Sequence, residues 1–521
     1  MQPLKKYKRM KKAKYNKFGS IFFLLLLLAS CTEDLGNYDY IDLKEIEFNN
    51  IESEITALSF SDLVIEPELG DINESNYLFE WKAIRRDGDM QTTIIGEEKN
   101  LNYSVKLPPA LYSLVYTVRE KEAEVFSRKV VELRVKSITS EGWLVLCDDN
   151  GNARLDIHSK VTDQTYFDIL SPYDLGVITG PRKLQVLPNM LTDHNSPFYL
   201  FADNAATKLG RNDIEWKPEY DMSYEMGNGK KVLPTGIVYG GTSKMFISDS
   251  KAYFCDFITG DGLFGQTINK DYNIADGIGA NIGAEYILAP LFLLYDDDQK
   301  KFISYNQYIA PMLTSSGMDL GLENYEMFGL VTGDAFELPM GYDFKYIENT
   351  KYDPAGSYDG MTYAILTSGA NYYLYGFQMG DMYAGEAASH CIYSCNKAFY
   401  GDLSACTDIG SASHFAFSSL KNYMYYAVGD KVYRVDLSNS ALSSVFQFDT
   451  AGEVISSLKF HQYYQASNLT RSYDLIVGTT EGTLSIYDGM ASDGDFSATE
   501  PKEKHSDFGN IVDVIYVELV E

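Results

Sequence analysis

Basic residues are scarce in this sequence of 521 residues: 44 Lys and Arg stand against 73 Asp and Glu. Eight of the 44 fall within residues 1–30, which hold no acid. The rest of the chain therefore has 36 bases against 73 acids, a net charge of −37. Such a surface repels phosphate backbones, which argues against a nucleic-acid partner. It repels anionic headgroups for the same reason. Long apolar runs are missing too. The run Ile21–Ala29 has nine residues, where a membrane-spanning helix needs about 20, and no later segment is apolar enough to span. Outside residues 1–30 there is no long stretch at helical spacing. HExxH, the Walker loop and GxSxG are all absent.

The short apolar run follows eight basic residues and ends at Leu28-Ala29-Ser30-Cys31. A positive leader and a short apolar core have the form of a secretory signal. The boundary resembles the lipobox of bacterial lipoproteins, which implies cleavage before Cys31 and lipidation of its thiol. Each buried methylene of such an anchor is worth about 0.8 kcal/mol. Thr32-Glu33-Asp34 resembles the surface-export signal of Bacteroidota lipoproteins. Residues 1–30 are thus expected to be a signal peptide and residues 31–40 an acidic tether.

Tyrosine is abundant, at 41 residues, and glycine punctuates the chain. Both favour strands and turns. In "YLFEWKAI" (Tyr77–Ile84), Phe79, Trp81 and Ala83 share one face. In "RKVVELRVKS", Val131, Leu133 and Val135 oppose Val130, Glu132 and Arg134. One wet face and one dry face predict a sandwich of short strands over residues 41–137, with Trp81 in its core. The stretch "NLNYSVKLPPALYSLVYTV" resembles the PKD-like domains of surface lipoproteins.

Residues 140–521 look repetitive. "GEVISSLKF" followed by "YDLIVGTTEGTLSIYDG" repeats the order of "HFAFSSLKNYMYYAVGDKVYRVDL": an inner strand, a polar break, then a hairpin. Expected inner strands begin near residues 182, 236, 284, 342, 413, 454 and 511. Repeats of about 40–50 residues built from short strands predict a β-propeller. "GWLVLCDDNGNARLDI" (Gly142–Ile157) has the hairpin without the preceding strand. "GNIVDVIYVEL" (Gly509–Leu519) has the strand without the hairpin. Joined, they predict seven blades closed by the C-terminal strand, with six or eight left open. The expected fold is all-β: an Ig/PKD-like sandwich, then a propeller.

Five cysteines follow Cys31, at 147, 255, 391, 395 and 406. Buried thiols or one local disulfide among Cys391, Cys395 and Cys406 are expected. A metal site with His390 lacks the usual Cys-x2-Cys spacing. The Gly-rich "DGIGANIGAE" (Asp276–Glu285) has no Lys after its last Gly, which favours a loop between blades over a phosphate cradle. Asn150-Gly151 is read as a type I′ hairpin turn. Here and at "YDDDQKK" (Tyr295–Lys301), calcium is a minor alternative; otherwise no cofactor is expected.

Propeller ligands sit where loops lead into the inner strands. The candidates there are Lys183, Glu285, Tyr342, Asp343 and His414, with Trp216, Tyr220 and Tyr224 on the loop "EWKPEYDMSYEM". Flat aromatic faces and carboxylates suit sugars or peptides. Blade packing is the competing explanation for any single tyrosine. No catalytic pair stands out among 73 acids.

Lipobox, acidic tether, "LGNYDY", sandwich and propeller together resemble the PKD-like lipoproteins of Bacteroidota. That resemblance rests on roughly the first quarter of the chain. It implies an outer-membrane anchor, an outward-facing body and an accessory role beside SusC/SusD-type transporters, capturing glycans or peptides without catalysis. A propeller-type polysaccharide hydrolase and a purely structural subunit are the alternatives.

Overall fold

The computed structural model describes residues 46–59, 61–86, 91–122, 125–186, 198–210, 214–240, 243–256, 262–265, 267–269, 272–280, 292–305, 328–329, 341–353, 360–379, 395–461 and 471–517. It is an all-β structure of many sheets. Among the described residues the only helical pieces are single 3-10 turns, and no helix is long and apolar enough to cross a membrane.

Seven strands form the first unit: β1 (Glu54–Leu58), β2 (Asp62–Ile65), β3 (Tyr77–Arg85), β4 (Thr92–Gly96), β5 (Leu101–Ser104), β6 (Ala110–Glu120) and β7 (Phe126–Lys136). Five of them make a sheet in the order β1-β7-β6-β3-β4, and β2 pairs with β5. The alternation in the sequence decides the faces. Val131, Leu133 and Val135 of β7 are buried, whereas Val130 is 58% exposed. Trp81 is the centre of this core. It is fully buried and stacks on Tyr116 at 4.0 Å between ring centroids. Its indole N–H donates to the Glu98 carbonyl at 3.1 Å, so burial leaves no orphaned donor. The Tyr112 hydroxyl donates to the Pro108 carbonyl at 2.8 Å, fixing the turn into β6.

Seven sheets follow. Their strands are β8 (Gly142–Asp149), β9 (Asn152–Ser159) and β10 (Gln164–Tyr166); β11 (Pro181–Val186), β12 (Phe198–Ala202) and β13 (Ala206–Leu209); β14 (Ile237–Gly240), β15 (Ser243–Ser248) and β16 (Lys251–Asp256); β17 (Gly279–Ala280), β18 (Phe292–Asp296) and β19 (Lys301–Tyr305); β20 (Phe328–Gly329), β21 (Asp343–Thr350), β22 (Met361–Ser368), β23 (Asn371–Met379) and β24 (Cys395–Asp402); β25 (His414–Phe417), β26 (Tyr423–Val428), β27 (Lys431–Asp436) and β28 (Ser444–Asp449); β29 (Ile455–Phe460), β30 (Leu475–Thr479), β31 (Leu484–Tyr487) and β32 (Glu503–His505). The last strand, β33 (Asn510–Val517), returns to β8. Tyr516 lies opposite Trp143 and Ile511 opposite Cys147.

Within each of these sheets the strands are mostly antiparallel neighbours in the chain, and β8–β9, β15–β16, β22–β23 and β26–β27 are joined by tight turns. Asn150 and Gly151 both have positive φ, 54° and 87°, as a type I′ turn between β8 and β9 requires. Several second strands are buried along their whole length: "FYLFA" in β12 and "LIVGT" in β30 are buried at every position. A strand buried on both faces needs a neighbour on each side. Each sheet shares an apolar core with the next. For example, Leu293, Tyr295 and Phe302 of the β17–β19 sheet pack with Ala364, Leu366 and Tyr375 of the β20–β24 sheet. The same holds between the last sheet and the first, where Ile476, Leu484 and Ile486 pack against Trp143, Val145 and Tyr516.

One expectation changes, and one is narrowed. The segment Asp276–Glu285 is not all loop: Gly279 and Ala280 form β17, paired with Leu293 and Phe292. A side chain at Gly279 would meet the Leu293 and Thr362 side chains at 2.9 Å, so the glycine there serves packing. Position 284, expected to begin that strand, lies outside the described residues. Cys406 is a free, buried thiol that donates to the Leu442 carbonyl at 3.0 Å, so it takes no part in a disulfide. Cys391 and the side chain of Cys395 lie outside the described residues.

Candidate functional site

The seven sheets face one cavity of about 600 Å³. Its wall is made by the edge strand of six sheets, β11, β14, β21, β25, β29 and β33, and by residues 276–278 leading into β17. An edge strand exposes unpaired backbone groups, and side chains of neighbouring strands answer many of them here. The Gln185 carboxamide pairs with both backbone groups of Ile237: it accepts from the N–H at 3.0 Å and donates to the C=O. Asn349 accepts from Ala280 N at 2.8 Å and donates to the Ile278 carbonyl at 3.2 Å. Thr235 donates to Asp276 at 2.6 Å. Glu348 accepts from Phe417 N at 3.2 Å. Ser456 donates to the Ile511 carbonyl at 2.5 Å, and Asp513 accepts from Leu184 N at 2.9 Å. Six of the seven neighbouring pairs of cavity-facing segments are stitched in this way.

Charged groups concentrate on the same wall. Lys459 Nζ meets Asp513 Oδ1 at 2.6 Å. Arg182 is held by Asp203 at 2.6 Å. Lys183 and Lys345 also line the cavity, and neither side chain has a hydrogen bond or an ion pair among the described residues. Lys183 has access to the cavity space while protein surrounds it. That burial lowers its ammonium's affinity for a proton, against the opposing pull of Asp513. Burial pushes the Glu348 carboxyl up to about 7, although the Tyr346 hydroxyl, Phe417 N–H, Lys459 and Lys183 all favour its ionised form. Burial likewise lowers the His414 imidazole, with Asp513 pulling the other way.

Of the residues expected from sequence, Lys183 and His414 line the cavity. Tyr342 and Asp343 sit just before the wall. Tyr342 stacks on Tyr373 at 4.7 Å, and Asp343 pairs with Lys300 at 3.0 Å. Trp216, Tyr220 and Tyr224 are not among the cavity-lining residues. They follow β13, the strand of its sheet farthest from the wall, and Asp221 bridges back to Thr207 of that strand. The Trp216 indole donates to Thr207 Oγ1 at 2.9 Å, and the Tyr220 hydroxyl donates to Glu215 at 3.0 Å. Tyr224 is 61% exposed. Cys31 and Glu285 lie outside the described residues.

Glu348, Lys345, Lys459, Asp276 and Asp513 escaped the sequence reading. One signal was available: Asp513 interrupts "IVDVIYV" and Lys459 interrupts "ISSLKF". A lone charge in an otherwise apolar strand marks a wall facing space rather than a core.

Residues 31–176 match the model of the PKD-like family, which spans the sandwich and continues through β8 and β9. Among solved structures, a quinoprotein alcohol dehydrogenase-like protein from Bacteroides thetaiotaomicron VPI-5482 is similar at 13% identity, covering 92% of this chain and 97% of its own, with a TM-score of 0.38. A structural genomics protein of unknown function from the same organism shares 9% identity over 92% of this chain and 94% of its own, with a TM-score of 0.29. Sqt1 from Chaetomium thermophilum shares 10% over 77% and 81%, with a TM-score of 0.27. No curated protein matches. The chain thus carries a PKD-like domain at residues 31–176, and the sheets after the sandwich enclose the cavity.

Proposed function

We propose that this protein is a non-catalytic surface lipoprotein of Bacteroidota that binds a glycan or peptide as an accessory to nutrient uptake, beside a SusC/SusD-type transporter. In this reading the seven sheets are the blades of a closed propeller latched by β33. The PKD-like sandwich spaces the propeller from the outer membrane, and a lipid on Cys31 holds the whole. The observation that carries the binding role is the cavity itself. It is walled by all seven sheets, large enough for a small ligand, and set with polar groups that the fold does not consume.

The test is affinity purification of the full chain from detergent-solubilised outer membrane. Retained oligosaccharide or peptide, transporter subunits alongside, and a diacylglyceryl modification on Cys31 by mass spectrometry are the expected results. A preparation with no bound ligand and no transporter sinks the uptake role. An unmodified Cys31 removes the anchor.

A second reading, polysaccharide hydrolysis, is favoured by one observation. A carboxyl held up at about 7 is what a general acid at neutral pH requires. Against it, Glu348 Oε2 is occupied by the Tyr346 hydroxyl at 2.8 Å and by Phe417 N–H, and Asp513 is bound to Lys459 and to two backbone N–H groups. Release of reducing ends from a polysaccharide panel, abolished in Glu348→Gln, would establish the hydrolase instead.

A further inference from the structure

In a chain with 44 bases and 73 acids, the cavity wall reverses the balance. Four cations, Arg182, Lys183, Lys345 and Lys459, face it, against Asp276, Glu348 and Asp513. Two of the cations are spent: Arg182 on Asp203, Lys459 on Asp513. Lys183 and Lys345 are not. Positive charge left without a protein partner at this wall is free to meet an anion that enters the cavity.

Space is kept for Lys183 as well. A Cβ at Gly236 would stand 3.1 Å from its Nζ and 3.3 Å from Gln185 Oε1. The ammonium feels Asp513, Asp276 and Glu348 but touches none of them. Its own burial and the repulsion from Lys459 disfavour its charge, and a bound anion would relieve both.

We propose that the cavity is a monoanion site in which Lys183, aided by Lys345, holds the carboxylate of its ligand. The shared chemistry is one carboxylate on an otherwise neutral body, as on an acidic sugar or a free peptide C-terminus. A dianion fits less well, because Asp276 and Glu348 stand on the same wall. The inference rests on the reading of the cavity as a binding site and names what that site selects.

The experiment is isothermal titration calorimetry on the full chain in detergent, with two matched pairs: sodium glucuronate against glucose, and acetyl-dialanine against its amide. In at least one pair the acid is expected to bind at least about tenfold more tightly than its neutral partner, the size of one charge-assisted hydrogen bond. Which pair responds tells sugar from peptide. Lys183→Met should erase that preference without lowering the melting temperature, and Lys345→Met should reduce it. If Lys183→Met unfolds the chain, Gly236→Ala, which crowds the ammonium, should weaken the acid while leaving the fold intact. Equal binding of acid and neutral partner overturns the anion site but leaves the binding role standing. So does a preference that survives Lys183→Met. Silence from all four probes at 10 mM, roughly the weak limit of such contacts, also overturns it; the uptake role falls with it only if the purified protein retains no ligand and no transporter.

Discussion

The indole N–H of Trp143 donates to Glu503 Oε2 at 2.8 Å, joining residues 360 positions apart. Lys160 Nζ meets the same oxygen at 2.8 Å, and the ring of His158 stacks on His505 at 3.7 Å. The first and last sheets are therefore fastened by polar contacts as well as by their apolar core. Burial alone would raise the Glu503 carboxyl. Hydrogen bonds from His505, Lys160 and Trp143 outweigh it and hold the group well below the usual range. Glu503→Ala leaves a buried indole N–H and an ammonium without their acceptor. It should cost about 1–3 kcal/mol in urea denaturation, whereas the exposed Glu52→Ala should change stability by less than about 0.5 kcal/mol.

Asn349→Leu tests the stitching between cavity-facing strands. Its carboxamide serves Ala280 N–H and the Ile278 carbonyl, and accepts from the Thr362 hydroxyl at 2.8 Å. Leucine is similar in size and answers none of them. A loss of about 1–3 kcal/mol is expected, with the circular dichroism of the native state unchanged. A neutral result would mean that water replaces the side chain at this wall.

Glu225 governs behaviour in acid. Its carboxylate meets Lys244 at 2.6 Å and Lys208 at 2.8 Å and accepts from the Tyr199 hydroxyl at 2.7 Å. Burial would raise this group, but Lys244 and Lys208 bring it down to about 2. A folded value below the unfolded one means stability that is complete above the unfolded value of about 4.3 and is lost as pH falls toward 2. The melting temperature of the native protein should therefore fall between pH 5 and pH 2 more steeply than that of Glu225→Gln. At pH 7 that variant should be the less stable by several kcal/mol, because two lysines lose a buried partner.

Glu348 has the opposite sign. Its folded value, about 7, lies above the unfolded one, so its contribution is complete below about 4.3 and is lost as pH rises through 7. Glu348→Gln keeps an acceptor for Tyr346 and Phe417 and removes the charge. Relative to the native protein it should be more stable at pH 8 and little changed at pH 4. Lys183, Lys459, Asp276, Asp513 and His414 share the cavity wall with it. The difference should persist in Lys183→Met, since burial rather than that lysine sets its direction.

The strands were more legible than the site. Expected starts at 182, 236, 342, 413, 454 and 511 fall within a residue or so of β11, β14, β21, β25, β29 and β33, because short apolar runs between turn residues leave few alternatives. The start placed at 284 lies outside the described residues, and β17 before it gave no signal, since Gly279-Ala280 has little strand propensity and pairs through its neighbours' packing. Trp216 and Tyr220 illustrate the limit at the site. An aromatic covering a sheet's outer edge and one offered to a ligand have the same local sequence. Only the position of β13, third from the cavity, separates them. Glu348 hid among 73 acids because what distinguishes it is burial, which a linear sequence does not display.

β33 supplies the edge against which β8 pairs, so a sheet begun at residues 142–159 is finished only by residues 510–517. Until then β8 presents an open hydrogen-bonding edge and an apolar face, a template for mispairing between nascent chains. A nascent chain stalled before residue 510 should therefore depend on holdase chaperones, even though the sandwich ahead of it can already have folded. The burden on quality control is thus fixed by the eight residues of β33.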